Sequence, residues 1–168
     1  MTAVATMPQR AQQETTGEII KRFQQQAPVD VMGIAESLGL RVWEDDINPY
    51  SGKITRDPIH GGPSGYSVIV NAIEPTNRKR FTIAHEVAHF ILHSDELLKG
   101  DIAETLYRGG LSDNMEAEAN QLAADILMPI PLIEKLIAQG FRSIEELADK
   151  LEVSKTAIGI RLGAPYAD

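Results

Sequence analysis

The chain opens on a polar, Gln- and Thr-rich stretch, residues 1–14, with too few apolar positions to build structure by itself, and a flexible tail is expected there. Apolar residues then recur at helical spacing. "TTGEIIKRFQQQ" (15–26) carries Ile19, Ile20 and Phe23. "PVDVMGIAESLGLRVWE" (28–44) starts with Pro28 and Asp30, suited to a helix start, continues through Met32, Ile34, Ala35 and Leu38, and stops at Gly39. Its end, "LRVWE", reads as a short strand. "SGKITRD" (51–57) and "GYSVIVNA" (65–72) are further strand-like runs, separated by the turn material "PIHGGPSG". "GYSVIVNA" alternates weakly; as an exposed edge it could accept an extended peptide by strand addition, though such a run is more often simply part of the sheet.

A long helix is predicted from Pro75, Thr76 and Asn77 through "RKRFTIAHEVAHFILH". Residues 94–113 are polar and Gly-interrupted, a loop with room for a short helix near Glu104. "NMEAEANQLAADILMP" (114–129) is a second long helix, stopped by Pro129. The remainder consists of helical pieces. Helices, then a small antiparallel sheet, then helices again make the expected class α+β. The expected organisation is a tail over 1–14, a catalytic-type domain over 15–130 and a C-terminal helical segment over 131–168 packed on it.

Composition narrows the function. The formal net charge of −8 argues against nonspecific attraction to nucleic acid or an anionic membrane. There is no cysteine, which removes disulfides and thiolate metal sites, so any metal must be held by histidine and carboxylate. No run reaches the roughly 18 apolar residues of a membrane span. The N-terminus shows no basic start followed by an apolar run, and a cytoplasmic protein is expected.

Three of the four histidines stand at every fourth position of one stretch: His85, His89 and His93. At about 100° per residue, Phe81, Ala84, Ala88, Ile91 and Leu92 cover one flank of that helix and Ile83, Val87 and Phe90 its back. A single polar seam carries Thr82, His85, Glu86, His89 and His93. A helix apolar nearly all round is buried, and buried polar groups need partners or a function. Within the seam, "HEVAH" is His-Glu-x-x-His. Histidines at i and i+4 reach one Zn²⁺ together, and Glu86 lies beside the ion without binding it, placed to take a proton from the attacking water. His93 lies about 6 Å of rise beyond His89, too far to share the ion easily, so a hydrogen-bonding role at the helix end is expected for it.

A catalytic zinc needs a third protein ligand. Asp95 is one candidate, but that arrangement needs a chain-reversing glycine where Leu92 stands, and the helix is expected to continue. Glu116 is the better candidate. On its helix, Met115, Ala119, Leu122, Ala123, Ile126 and Leu127 occupy the inward arc, while Glu118, Gln121 and Asp125 form an opposite polar stripe facing water. Glu116 thus points toward the core, where a lone carboxylate is costly and a metal, an arginine or the helix-start dipole would relieve it. Asn120, one turn on, is placed to hydrogen-bond a ligand histidine or the Glu116 carboxylate. Tyr107, His93 and His60 are candidate transition-state donors.

"RFTIAHEVAHFILH", "EAEANQLAADILMP" and "SIEELADKLEVSKTAIGIRL", with the lead-in "PVDVMGIAESLGLRV", together resemble the ImmA/IrrE family of zinc metallopeptidases over about residues 15–163. The resemblance implies a gluzincin-like site in which His85, His89 and Glu116 hold Zn²⁺ and Glu86 is the general base, with neighbouring Glu118 the alternative ligand. It also implies a partner transcriptional repressor of helix-turn-helix type as the protein substrate, in mobile elements, phages or stress responses. Residues 143–162 themselves resemble a helix-turn-helix, but their charge balance is −1, which argues against direct DNA binding and for packing or partner docking. The alternatives are a zinc-containing regulator without proteolytic activity and a toxin–antitoxin component that acts by binding a repressor or DNA.

Overall fold

A computed structural model describes residues 14–99 and 113–164. The N-terminal helix α1 (Thr16–Phe23) begins on a reciprocal cap: the Thr15 hydroxyl accepts from the Glu18 N–H while the Glu18 carboxylate accepts from the Thr15 N–H. Asp30 caps α2 (Val31–Ser37) by accepting from the Gly33 N–H. Gly39, at φ +83°, ends that helix in a conformation a Cβ would strain and turns the chain into β1 (Leu40–Asp45).

β1, β2 (Gly52–Arg56) and β3 (Tyr66–Asn71) form one three-stranded sheet in the order β1-β3-β2. β2 and β3 are antiparallel, from Gly52 opposite Val70 to Arg56 opposite Tyr66. β1 and β3 are parallel, from Leu40 opposite Tyr66 to Asp45 opposite Asn71. The α+β class holds, and the sheet is mixed rather than wholly antiparallel. Residue pattern marks strands but not the direction of pairing, which the connections impose. β3 is accordingly the central strand and not an exposed edge. That explains why Ser67, Val68, Val70 and Asn71 are all buried, where a half-exposed strand would alternate.

The long helix α3 (Thr76–Leu92) lies across the sheet, with Ile83, Ala84 and Val87 in one apolar cluster with Ile54, Val68 and Val70. It packs closely along α5 (Asp113–Leu127). Ala84 and Ala88 on α3 and Ala119 and Ala123 on α5 are all fully buried, and small side chains let two helix axes approach. α3 ends at Leu92 with His93 (φ −127°, ψ 33°) as its C-cap, within one residue of the expected end. The chain then forms α4 (Ser94–Lys99), where the polar composition predicts loop; the helix expected near Glu104 lies outside the described residues.

Pro129 ends α5 and starts α6 (Ile130–Ala138), followed by α7 (Ile144–Leu151) and α8 (Lys155–Arg161). Ser143 and Glu146 make a second reciprocal cap on α7, Glu152 turns the chain at φ 52°, and the Ser154 hydroxyl caps α8. This is the expected helix–turn–helix segment. Leu132, Leu147, Leu151 and Ile158 join the same buried cluster as the sheet and α3. Two arginines reinforce the seam. Arg80 donates to the Val29 carbonyl at 2.8 Å, and Arg161 donates to the Met128 carbonyl at 3.0 Å while pairing with Asp125 at 2.7 Å. No helix among the described residues is long and apolar enough to cross a membrane.

β2 presses on α3 through Gly52. A Cβ there would collide with the Thr82 Cγ2 and sit 3.1 Å from the Ile69 carbonyl. Gly52→Ala should therefore destabilise the chain by about 1–3 kcal/mol. Gly17→Ala, whose new Cβ meets nothing within 4 Å, should stabilise it by a few tenths of a kcal/mol to about 1 kcal/mol. Urea denaturation of the two variants checks both signs.

Candidate metal centre

The i, i+4 spacing on α3 stacks His85 over His89, and α5 delivers Glu116 from the facing helix. His89 is fully buried, His85 nearly so. Their Nε2 atoms lie 3.0 Å apart. Glu116 Oε2 is 3.3 Å from His85 Nε2, and Glu116 Oε1 is 3.1 Å from His89 Nε2. A tetrahedral zinc with bonds of about 2.0–2.1 Å needs its donor atoms about 3.3 Å apart, so the spacing fits. His85, His89 and Glu116 form a group with one donor atom each, all within 4.8 Å of one another. Neither Asp95 nor Glu118 belongs to it.

The protons make the fit chemical as well as geometric. His85 Nδ1 lies 3.0 Å from Asn120 Oδ1, an acceptor, so Nδ1 carries the hydrogen and Nε2 is bare. Burial holds the His85 imidazole below its ordinary pKa, against the pull of Glu116 and Asn120. Burial, reinforced by His85 and His93, depresses His89 to about 3. Both rings are neutral near pH 7 and present lone pairs. Glu116 Oε1 is buried with no hydrogen-bond partner despite its nearness to His89. Lone pairs and a carboxylate converging in an apolar interface repel unless a cation sits among them.

Glu86 lies beside this group, buried at the floor of a cleft of about 500 Å³ whose walls include Tyr50, Gly52, Arg78, Phe81 and Asn120. Burial first, and the Glu116 charge second, push its carboxyl up to about 8, and the Ile54 N–H donated to it offsets part of that rise. A second cavity, about 590 Å³ and more apolar, adjoins the cleft through Arg78, Phe81 and Asn120 and extends to Met128, Ala157 and Ile160 on the C-terminal helices.

The remaining candidates separate. His93 is buried one turn below His89, its Nδ1 3.0 Å from His89 Nδ1 and its Nε2 3.2 Å from Glu118 Oε2. The Glu118 side chain is 64% exposed but does not simply face water, because its carboxylate closes on His93. The sequence pattern misses this pairing because it joins residues on different helices. His60 is 73% exposed on the β2–β3 connection, 3.8 Å from Asp57, and is not among the residues lining the cleft. Tyr107 lies outside the described residues. The cleft walls Tyr50, Arg78 and Phe81 carry no motif of their own that would have singled them out.

The family model described as Peptidase M78, IrrE N-terminal-like domain, matches residues 35–163. The chain belongs to this family. Among curated relatives, it is 35% identical over 104 residues to the radiation response metalloprotease IrrE of Deinococcus radiodurans, covering 60% of this chain and 30% of that protein. It is 33% identical over 98 residues to the protein of the same name from Deinococcus deserti, covering 56% of this chain and 35% of that one. The matched part is thus about a third of those relatives' length. Among solved structures, a Mycobacterium tuberculosis transcriptional regulator superposes with a TM-score of 0.57 at 16% identity, over 90% of this chain and 47% of that one, which is a likeness of fold.

The Glu86 shift carries a stability consequence for this IrrE-like domain. In the metal-free chain the folded carboxyl holds its proton up to about pH 8, while the unfolded one releases it near 4.5. Between those values the unfolded state binds fewer protons, so stability falls as pH rises, by at most about 1.4 kcal/mol per pH unit. Chelator-treated protein should lose about 1–3 kcal/mol of this contribution from pH 5 to pH 7.5, and Glu86→Gln should flatten the slope. Urea titrations at the two pH values measure it.

Proposed function

We propose that the chain is a zinc-dependent endopeptidase of the His-Glu-x-x-His type. The observation that carries this reading is the convergence of His85 Nε2, His89 Nε2 and the Glu116 carboxylate on one point, with the buried Glu86 carboxyl beside it at the floor of an open cleft. His85, His89 and Glu116 hold the ion. When bound, zinc supplies Lewis acidity for hydrolysis of a peptide bond. Glu86 accepts the proton of the attacking water on its carboxylate and returns it to the leaving amine. Asn120 keeps the His85 proton on Nδ1, away from the ion.

The substrate is a polypeptide. β2 is an edge strand of the sheet, and Gly52 at its start lines the cleft beside Glu86, so an extended segment can add to that edge with its scissile bond over the site. The apolar cavity next to the cleft takes a large aliphatic or aromatic side chain of such a segment. Membership of the family, with relatives that bear the name radiation response metalloprotease, supports proteolysis. The resemblance of the motifs to repressor-cleaving peptidases supports a helix-turn-helix repressor as substrate, in the cytoplasm. The C-terminal helices share the core of α3 and the sheet, and the charge balance of −1 over residues 143–162 argues against direct DNA binding.

Protein purified without chelator should contain one equivalent of zinc by elemental analysis, and His85→Ala or Glu116→Ala should reduce it sharply. Glu86→Gln should keep the metal and the fold but lower cleavage of the repressor encoded nearest this chain's gene by at least about 100-fold. Full biological activity in that variant would make the chain a binding regulator instead.

A further inference from the structure

The three-donor group leaves one question open about His89: nothing in that group decides which of its nitrogens carries the proton. The answer lies behind it, in two residues that touch no donor of Glu116 or His85. His93 closes α3, and its ring turns back under His89 with Nδ1 facing Nδ1 at 3.0 Å. Its other nitrogen meets Glu118 Oε2, from α5, at 3.2 Å. We propose that Glu118 and His93 are a positioning relay that fixes the tautomer of His89 and so keeps its Nε2 lone pair aimed at His85 and Glu116. The proposal deepens the metallopeptidase reading, on which its zinc arm rests.

The deduction follows from proton counting. A neutral imidazole has one N–H and one lone pair, and a carboxylate only accepts. Glu118 therefore draws the His93 hydrogen onto Nε2. His93 Nδ1 is then an acceptor, the facing His89 Nδ1 must donate, and His89 Nε2 is left bare. The opposite order is available to the same two rings. With the His93 hydrogen on Nδ1, His89 accepts at Nδ1 and carries its own hydrogen on Nε2. That hydrogen would point at His85 Nε2, 3.0 Å away, and occupy the place of a ligand bond. It would also leave His93 Nε2 and Glu118 Oε2 facing each other as lone pairs at 3.2 Å. The Glu118 carboxylate opposes this second order; without it, a hydrogen bond from His89 Nε2–H to His85 Nε2 or Glu116 Oε1 favours it.

Burial gives the choice its force. His89 and His93 are buried, so water cannot supply the missing donor or acceptor, and an unmatched pair of lone pairs is costly there. One helix thus sets both tautomers, Asn120 for His85 directly and Glu118 for His89 through His93. Because the Glu118 side chain is largely exposed, replacing it removes no core packing.

The test reads the protons themselves. In the full chain labelled with ¹⁵N at histidine and freed of metal, imidazole correlation spectra should show His89 protonated at Nδ1 and His93 at Nε2. In Glu118→Ala and Glu118→Gln, a measurable fraction of His89 should move to the Nε2–H form, and zinc affinity measured by competition with a chromophoric chelator should fall about 10–100-fold. Glu118→Asp should recover part of both. Wild-type His89 protonated at Nε2, or tautomers and affinity unchanged in Glu118→Ala, would overturn the relay. If the tautomers respond as stated while the wild type takes up no zinc, the relay stands and the metallopeptidase reading falls.

Discussion

Two imidazole nitrogens and a carboxylate facing one another at about 3 Å inside an apolar helix interface are the constraint around which this fold is arranged. In water such a cluster would disperse. Here α3 and α5 hold it, and each carries fully buried alanines, 84 and 88 on one and 119 and 123 on the other. Small side chains of this kind let packed helices approach closely. The sheet supplies the opposite wall through a glycine, again because a side chain would not fit. Small residues on both sides of α3 thus set the distances that matter for the chemistry.

What the amino-acid pattern discloses follows the range of each interaction. His85, Glu86 and His89 are legible at once, since their relation is one helical turn. Glu116 is legible at one remove, because an inward-pointing carboxylate on an otherwise apolar arc needs a partner. The helix caps at Thr15, Asp30 and Ser143 are written within four residues. Pairing direction in the sheet is not written locally. β1 meets a strand that follows it by two elements, and no residue of "LRVWE" records that the partner runs parallel. The end of α3 at His93 is legible, but the short helix that follows it is not: "SDELLK" is polar enough to read as loop, yet it forms a helix whose Leu97 is buried in the core.

Family membership and site geometry bear on different links of the chain from sequence to function. The match over residues 35–163 accounts for the fold and for the peptidase setting. The likeness to a protein called a transcriptional regulator, at 16% identity, shows that the same architecture is carried by very different sequences. The chemistry has to be argued from the atoms. Neutral rings, an orphaned carboxylate oxygen and a buried general-base candidate say what belongs in the cleft more directly than any shared outline does.

The C-terminal helices share one core with α3, and Ala157 and Ile160 of α8 line a cavity that has Arg78, Phe81 and Asn120 in common with the cleft. Pro129 passes the chain directly from α5 into α6, and Arg161 is clamped to the end of α5. α8 is thereby tied to the helix that carries Glu116, Glu118 and Asn120, so the C-terminal pair is part of the same packing unit as the candidate metal site and not an appendage to it.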